Sequence, residues 1–315
     1  MTISLLRTDL TWWVERDGRA APIDSPAGTT AELLADTAAI HQAYARAENG
    51  EPVADLKVQA PLTIPCRVVA QMVNYASHAR ESGFDPGSVP ATFFRKSSDS
   101  ISGPSDPIVS PHHVRLLDYE VELGLVMGAP VPVGTVVTEQ TLPDYVAGLV
   151  VANDVSARDV QLTKGQFYES KSYPTFTPVG PRLVLLEPGD FARLDSLRLT
   201  LRVNGETRQD APVTDMIHRP AASLTALARF QSLAPGDVLL TGTPGGTALH
   251  APPMVVEKIA ALLPPSVKWR LFFAQQEKNQ AYLRPGDVVE ATIRTEDGTI
   301  DLGTQRTPVA EWATS

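Results

Sequence analysis

Three carboxylates and an ammonium that could share one site fall between residues 118 and 181. Glu120 and Glu122, in DYEVELGLVMG, stand two apart with Val121, Leu123 and Leu125 between and after them. On a strand, residues two apart leave the same face, so one face is acidic and the other apolar. Neighbouring carboxylates repel unless a cation lies between them, and a hard divalent ion, Mg²⁺ or Mn²⁺, prefers such oxygen ligands. The next piece, GLVVANDVSARDVQ, runs apolar from Leu149 to Ala152 and then reaches Asn153-Asp154. That puts Asp154 at the end of a buried strand as a third ligand. In YESKSYPTFTPVGP, Lys171 stands between two serines, where an ammonium can hold a substrate oxygen beside the metal. Each residue alone has a plainer reading: a solvated acidic face, a turn cap at Asp154, an ordinary surface lysine.

His78 and Glu81 are three apart, so a helical turn sets them on one side. A glutamate bonded to a histidine raises its basicity and fixes its orientation, which suits a general base. His-x-x-Glu by itself is common, and its weight comes from what surrounds it.

The segments DYEVELGLVMG, NDVSARDVQ, KSYPTFTPVGP and LLTGTPGG, in this order and spacing, resemble the signature segments of the fumarylacetoacetate hydrolase family. LTIPCRVVAQMVNYASHARE resembles the entry strand and following loop of that domain, and the likeness covers about residues 62–310. It lies nearest the shorter bacterial-type acylpyruvate or fumarylpyruvate hydrolases and 2-oxo-acid lyases. The resemblance implies a mostly β fold with some α, a mixed β-sandwich roll, with Glu120, Glu122 and Asp154 binding Mg²⁺ or Mn²⁺. It implies a water-activating dyad at His78 and Glu81, a loop at Thr243 that meets the substrate's carboxylate, and a homodimer. Longer members add an upstream aspartate to the metal. Here that stretch reads Asn74-Tyr75, so three protein carboxylates are expected, with water or substrate completing the octahedron.

The rest of the chain must position these groups. Its 315 residues suffice for one large domain with an appendage, or for two. A formal net charge of −9 without a dense basic block argues against a nucleic-acid partner and for a small 2-oxo or dioxo acid. One cysteine, Cys66, and no leader-like start point to the cytoplasm. No stretch approaches the ~20 apolar residues of a membrane span.

Residues 1–60 read as a small N-terminal α/β unit: strands about a turn at Asp17-Gly18, then one helix with Thr30 as cap and Gly50 as stop. Residues 61–315 form the catalytic domain, with an NG hairpin at Asn204-Gly205 and another about Asp297-Gly298. A helical insertion, residues 248–283, interrupts the resemblance. VVEKIAALL and VKWRLFFAQQEKNQAYL are its two helices, parted by Pro264-Pro265. Trp269, Leu271, Phe272 and Phe273 give it more apolar surface than a solvated helix pair should expose.

The expected activity is divalent-metal-dependent hydrolysis of a carbon-carbon bond in a 2,4-dioxo acid of acylpyruvate or fumarylpyruvate type. Arg158 and Gln161 are expected to orient substrate or loop, with Arg158 equally suited to a structural salt bridge. An oxaloacetate-type decarboxylase, or an isomerase or hydratase of unsaturated 2-oxo acids, needs the same metal site. A catalytically silent metal-binding protein would have no use for His78, Glu81 and Lys171.

Overall fold

In the computed structural model, residues 2–250 and 264–312 are described. The expected helix VVEKIAALL lies outside these residues.

Two large open sheets carry most of the strands, beside two short two-stranded pairings. The larger has ten strands in the order Glu51–Pro52, Arg19–Pro22, Trp12–Arg16, Ile3–Arg7, Leu183–Leu185, Val146–Asn153, Val121–Met127, Val238–Leu240, Val68–Met72, Thr92–Lys96. The N-terminal strands thus continue the sheet that carries the acidic residues, joined where Ile3–Arg7 pairs antiparallel with Leu183–Leu185. The smaller sheet has five strands, ordered Glu206–Pro212, Leu197–Val203, Val288–Thr295, Asp301–Glu311, Ile108–Ser110.

The period of two assigns each strand residue to a core. Leu123, Leu125, Leu149 and Val151 point toward the smaller sheet and meet Leu199, Leu201, Ala291 and Ile293 in the main core. Val126, Val150, Ala152 and Leu240 point the other way, into a second core with Leu33, Ile40 and Ala43 of the N-terminal helices. With both faces covered, Val121–Met127 is buried throughout. Gly124 permits this packing, because a Cβ there would come within 2.6 Å of the Val150 side chain on the paired strand.

Local chemistry accounts for most elements. Asp17 and Gly18 have φ of 53° and 77°, and Asn204 and Gly205 have 51° and 81°, as tight hairpin turns require. The expected single N-terminal helix is two, Thr30–Ala35 and Thr37–Ala47. Asp36 divides them, its side chain accepting from the Ala39 N–H, and Thr29 rather than Thr30 caps the first, in a capping box with Glu32. Pro235-Gly236-Asp237 and Pro285-Gly286-Asp287 are matched turns: each glycine has positive φ, and each aspartate accepts a backbone N–H three residues back. The insertion contributes the helix Pro265–Gln276. No helix among the described residues is long and apolar enough to cross a membrane.

Candidate active site

The acidic residues lie at one end of the second face of the large sheet. Glu120 and Glu122 share the parity of Val126, and Asp154 that of Val150 and Ala152, so all three leave the same side. Val121 pairs with Asn153, and the Asp154 N–H donates to the Glu120 carbonyl at 2.8 Å, which sets the two acids side by side across the ladder. Ligand oxygens of Glu120, Glu122 and Asp154 lie within 4.8 Å of one another, and all three residues are buried.

Buried cations answer this charge. Lys171 Nζ donates at 2.7 Å to Glu120 Oε2 and at 2.7 Å to Asp154 Oδ2, bridging two of the acids. Arg158 donates at 2.5 Å to Glu120, at 2.8 Å to Asp118 and at 2.9 Å to Gln161 Oε1. Lys96, also buried, donates to Asp154 Oδ1 and to the Phe176 carbonyl. Burial alone would raise the Glu120 carboxyl, but Lys171, Arg158 and His78 together hold it well below its ordinary range. Glu122 goes the other way. Burial, then the charges of Asp154 and Glu120, push it well above the carboxylate range, and the Gly242 N–H donating at 2.7 Å opposes this only in part. Lys171 is held above its usual value against burial by Asp154 and Glu120.

This donor set fits a hard divalent ion: three carboxylates converge, and among the described residues Glu122 has no cation bonded to it. The protein's ammonium on Glu120 and Asp154 would compete with such an ion.

The loop after Val238–Leu240 is tied to the acidic strand. Thr241 Oγ1 donates to the Leu123 carbonyl at 2.8 Å and Thr243 Oγ1 to the Val121 carbonyl at 2.9 Å. Gln209 of the hairpin accepts from the Val121 N–H and donates to Thr243 Oγ1 and the Pro244 carbonyl. Thr243, expected as a substrate donor, therefore has its proton engaged by the backbone. Gly242, at φ 88°, has no room for a side chain, since a Cβ would meet Asn74 Cβ at 2.8 Å. Asn74 is a structural pin here, bonding the Thr241 and His218 carbonyls and the His218 N–H.

The helix Ala76–Glu81 carries His78 and Glu81. His78 lines the cavity in front of the carboxylates, together with Glu120, Glu122, Arg158, Lys171 and Thr243. Its Nδ1 has no hydrogen-bond partner among the described residues. Burial lowers its pKa, outweighing the attraction of Glu120, so the imidazole is neutral at about pH 7. Glu81 is not bonded to it: Glu81 Oε2 accepts from the Gly246 N–H at 2.8 Å, and its carboxylate packs where Gly245 leaves out a side chain. The helical spacing holds, and the glycine loop, not the histidine, takes the glutamate.

Lys96 matches a basic position of the family near the site, although an Arg-Lys pair at a strand end reads as solvated; the structure buries it against Asp154. Three further residues near the site carry no such match. Asp118 accepts from Arg158 and from the N–H groups of Tyr119, Ala248 and Leu249, fixing the start of the insertion. Gln209 lies in a polar hairpin that gives no hint of burial. Gln71, in the apolar run Val68–Met72, is 1% exposed, lines the cavity, and has no partner for either amide atom among the described residues. A glutamine inside an apolar strand was the available signal. Two residues on, Val73 holds φ of 52°, an unusual value for a β-branched residue, and also lines the cavity.

Comparison with known proteins agrees with the geometry. Residues 67–310 match the fumarylacetoacetate hydrolase C-terminal family model. A mitochondrial oxaloacetate tautomerase of Rattus norvegicus is 36% identical over 209 residues, 66% of this chain and 65% of that protein, so the match spans just under two thirds of the relative's length. A 2,4-didehydro-3-deoxy-L-rhamnonate hydrolase of Sphingomonas is 34% identical over 78% of this chain and 74% of that protein. Among solved structures, a probable 2-hydroxyhepta-2,4-diene-1,7-dioate isomerase of Mycobacterium abscessus superposes with a TM-score of 0.75 at 30% identity, covering 100% of both chains. With most of its length matched and the acidic site at the end of the shared sheet, the chain belongs to the fumarylacetoacetate hydrolase family.

Proposed function

We propose that the protein hydrolyses the bond between C3 and C4 of a 2,4-dioxo acid of acylpyruvate type. The observation that carries this reading is the His78 imidazole, its Nδ1 without a partner among the described residues, facing the same cavity as the acidic cluster. Glu120, Glu122 and Asp154 would hold a divalent ion, Mg²⁺ or Mn²⁺, which when bound supplies a Lewis acid for the 2-oxo-acid oxygens. His78 takes a proton from water as the water oxygen attacks C4. The C3–C4 bond then breaks, its electron pair passes to the pyruvyl fragment as an enolate, and the imidazolium returns the proton to C3. Lys171, fully protonated, adds positive charge beside the enolate oxygen. Arg158 holds Glu120 and Gln161 in place, and the Gln71 amide offers a donor and an acceptor to the bound acid.

A second reading is tautomerisation or isomerisation of a 2-oxo acid at the same site. It is favoured by Glu81 lying on Gly246 and not on His78, because a lone imidazole suffices to move a proton to and from C3, whereas water activation gains from the dyad. The oxaloacetate tautomerase relative supports it also. Product analysis separates the two. Mn²⁺-loaded protein given acetylpyruvate should release pyruvate and acetate in equal amounts. Rapid enol-to-keto conversion of oxaloacetate without cleavage of acetylpyruvate would replace hydrolysis by tautomerisation.

A further inference from the structure

The cavity in front of the carboxylates is much larger than a 2-oxo-acid head requires. It encloses about 790 Å³, toward the upper end of the ~300–1,000 Å³ usual for small-molecule sites. Glu120, Glu122, Arg158 and Lys171 are its buried charged groups. The less buried part of its wall is mostly apolar: Phe84, Phe94, Phe167, Leu249, Trp269 and Phe272 all line it. Phe94 marks the boundary, its ring 5.5 Å from Lys171 Nζ on one side and edge-on to Phe167 at 5.2 Å on the other. Elsewhere on the cavity wall, Trp269 stacks on Phe273 at 5.5 Å and meets Phe272 edge-on at 5.9 Å, so the helix Pro265–Gln276 presents a braced aromatic surface. Phe84 is 55% exposed and Trp269 only partly covered, an arrangement costly in water without an occupant.

We propose that the substrate carries an extended apolar tail, alkyl or aryl, beyond C4, and that this tail lies between Phe94-Phe167 and Trp269-Phe272. The proposal rests on the 2-oxo-acid head being held as above. It separates the acylpyruvate and fumarylpyruvate classes, because a fumaryl tail ends in a carboxylate that would have to lose its water among aromatic rings. Lys268 and His250 also line the cavity, with His250 exposed. They are the groups that a tail carboxylate would need, and they make the question testable.

The test is calorimetric binding of 2-oxo acids that have no cleavable 4-oxo group to Mn²⁺-loaded protein. The series is pyruvate, 2-oxobutyrate, 2-oxohexanoate and 2-oxooctanoate, with phenylpyruvate as the aryl probe and 2-oxoadipate as the tail-charged one. Affinity should rise by up to about fourfold per added methylene. Phenylpyruvate should bind more tightly than pyruvate, and 2-oxoadipate more weakly than 2-oxohexanoate. Trp269→Ala, and separately Phe272→Leu, should flatten the rise with chain length. Affinity independent of tail length, tighter binding of 2-oxoadipate, or no binding of any member overturns the proposal. Because binding needs no turnover, tail-dependent affinity without cleavage of any acylpyruvate would dismiss the hydrolytic reading and leave the tail site standing.

Discussion

The two ends of the cavity are built in opposite ways. At the acidic end the carboxylates lie on or beside strands buried on both faces, and Lys171, Arg158 and Lys96 are bonded to them, while His78 Nδ1 and the Gln71 amide have no partner among the described residues. At the aromatic end a helix from the insertion offers partly exposed rings, tied back through Asn279 to the Ala248 carbonyl and Arg115 to Glu277. Electrostatic interactions fall off with distance and depend on local dielectric, so groups that stabilise developing charge must be held rigidly. Apolar contact is roughly proportional to area and has no direction, so a surface that selects tails can be looser. The difference supports the proposed division, in which reaction and selection belong to separate pieces of chain.

The sharpest way to break that division is at the acidic end. His78→Ala should lower kcat by on the order of 10²-fold or more while Mn²⁺ binding by calorimetry persists, because base and ligands are separate groups. Undiminished turnover of acylpyruvate in that variant would remove His78 as the base. Next in size, Glu122→Ala should weaken Mn²⁺ binding by at least about tenfold, whereas Trp269→Ala, remote from the carboxylates, should leave it alone; equal losses in both would erase the distinction.

The pH profile sharpens the same contrast. Burial lowers the His78 pKa, so the fraction of neutral imidazole stays high as pH falls to its ordinary value of about 6.5 and is lost only below it. The acid limb of kcat/KM should therefore lie below about 6.5, and a limb above that value would contradict a neutral buried base. The smallest effect concerns Gln71. An unpaired buried amide costs roughly 1–3 kcal/mol, so Gln71→Met should leave the fold equally or more stable to urea while raising KM for the acid. A structural role predicts the reverse, a less stable protein with unchanged KM.

Much of the acidic end was legible in the sequence, because a spacing of two on a strand and an acid at a strand end are local patterns with one geometric consequence each. The hairpins at Asn204-Gly205 and Asp17-Gly18 were legible for the same reason: positive φ restricts the residue types. What local pattern could not reveal was where a side chain goes after leaving its element. Lys96 reaches Asp154 across 58 positions of chain, and Gln209 reaches Thr243 across 34. The dyad spacing of His78 and Glu81 fixed their side of the helix but not the neighbour that each would meet. The aromatic residues of the insertion announced that they needed covering; only the placement of Pro265–Gln276 beside the cavity says what they face.

The pairing of Asp118, Glu120 and Asp154 with Arg158, Lys171 and Lys96 has a consequence for assembly. Because the chain brings its own counter-ions, the acidic pocket can close during folding without waiting for a divalent ion, unlike small domains whose metal is part of their folding free energy. The proposed loading would then be an exchange of one cation for another at a finished site. Protein stripped with a chelator should accordingly keep its folded circular-dichroism spectrum and lose only turnover.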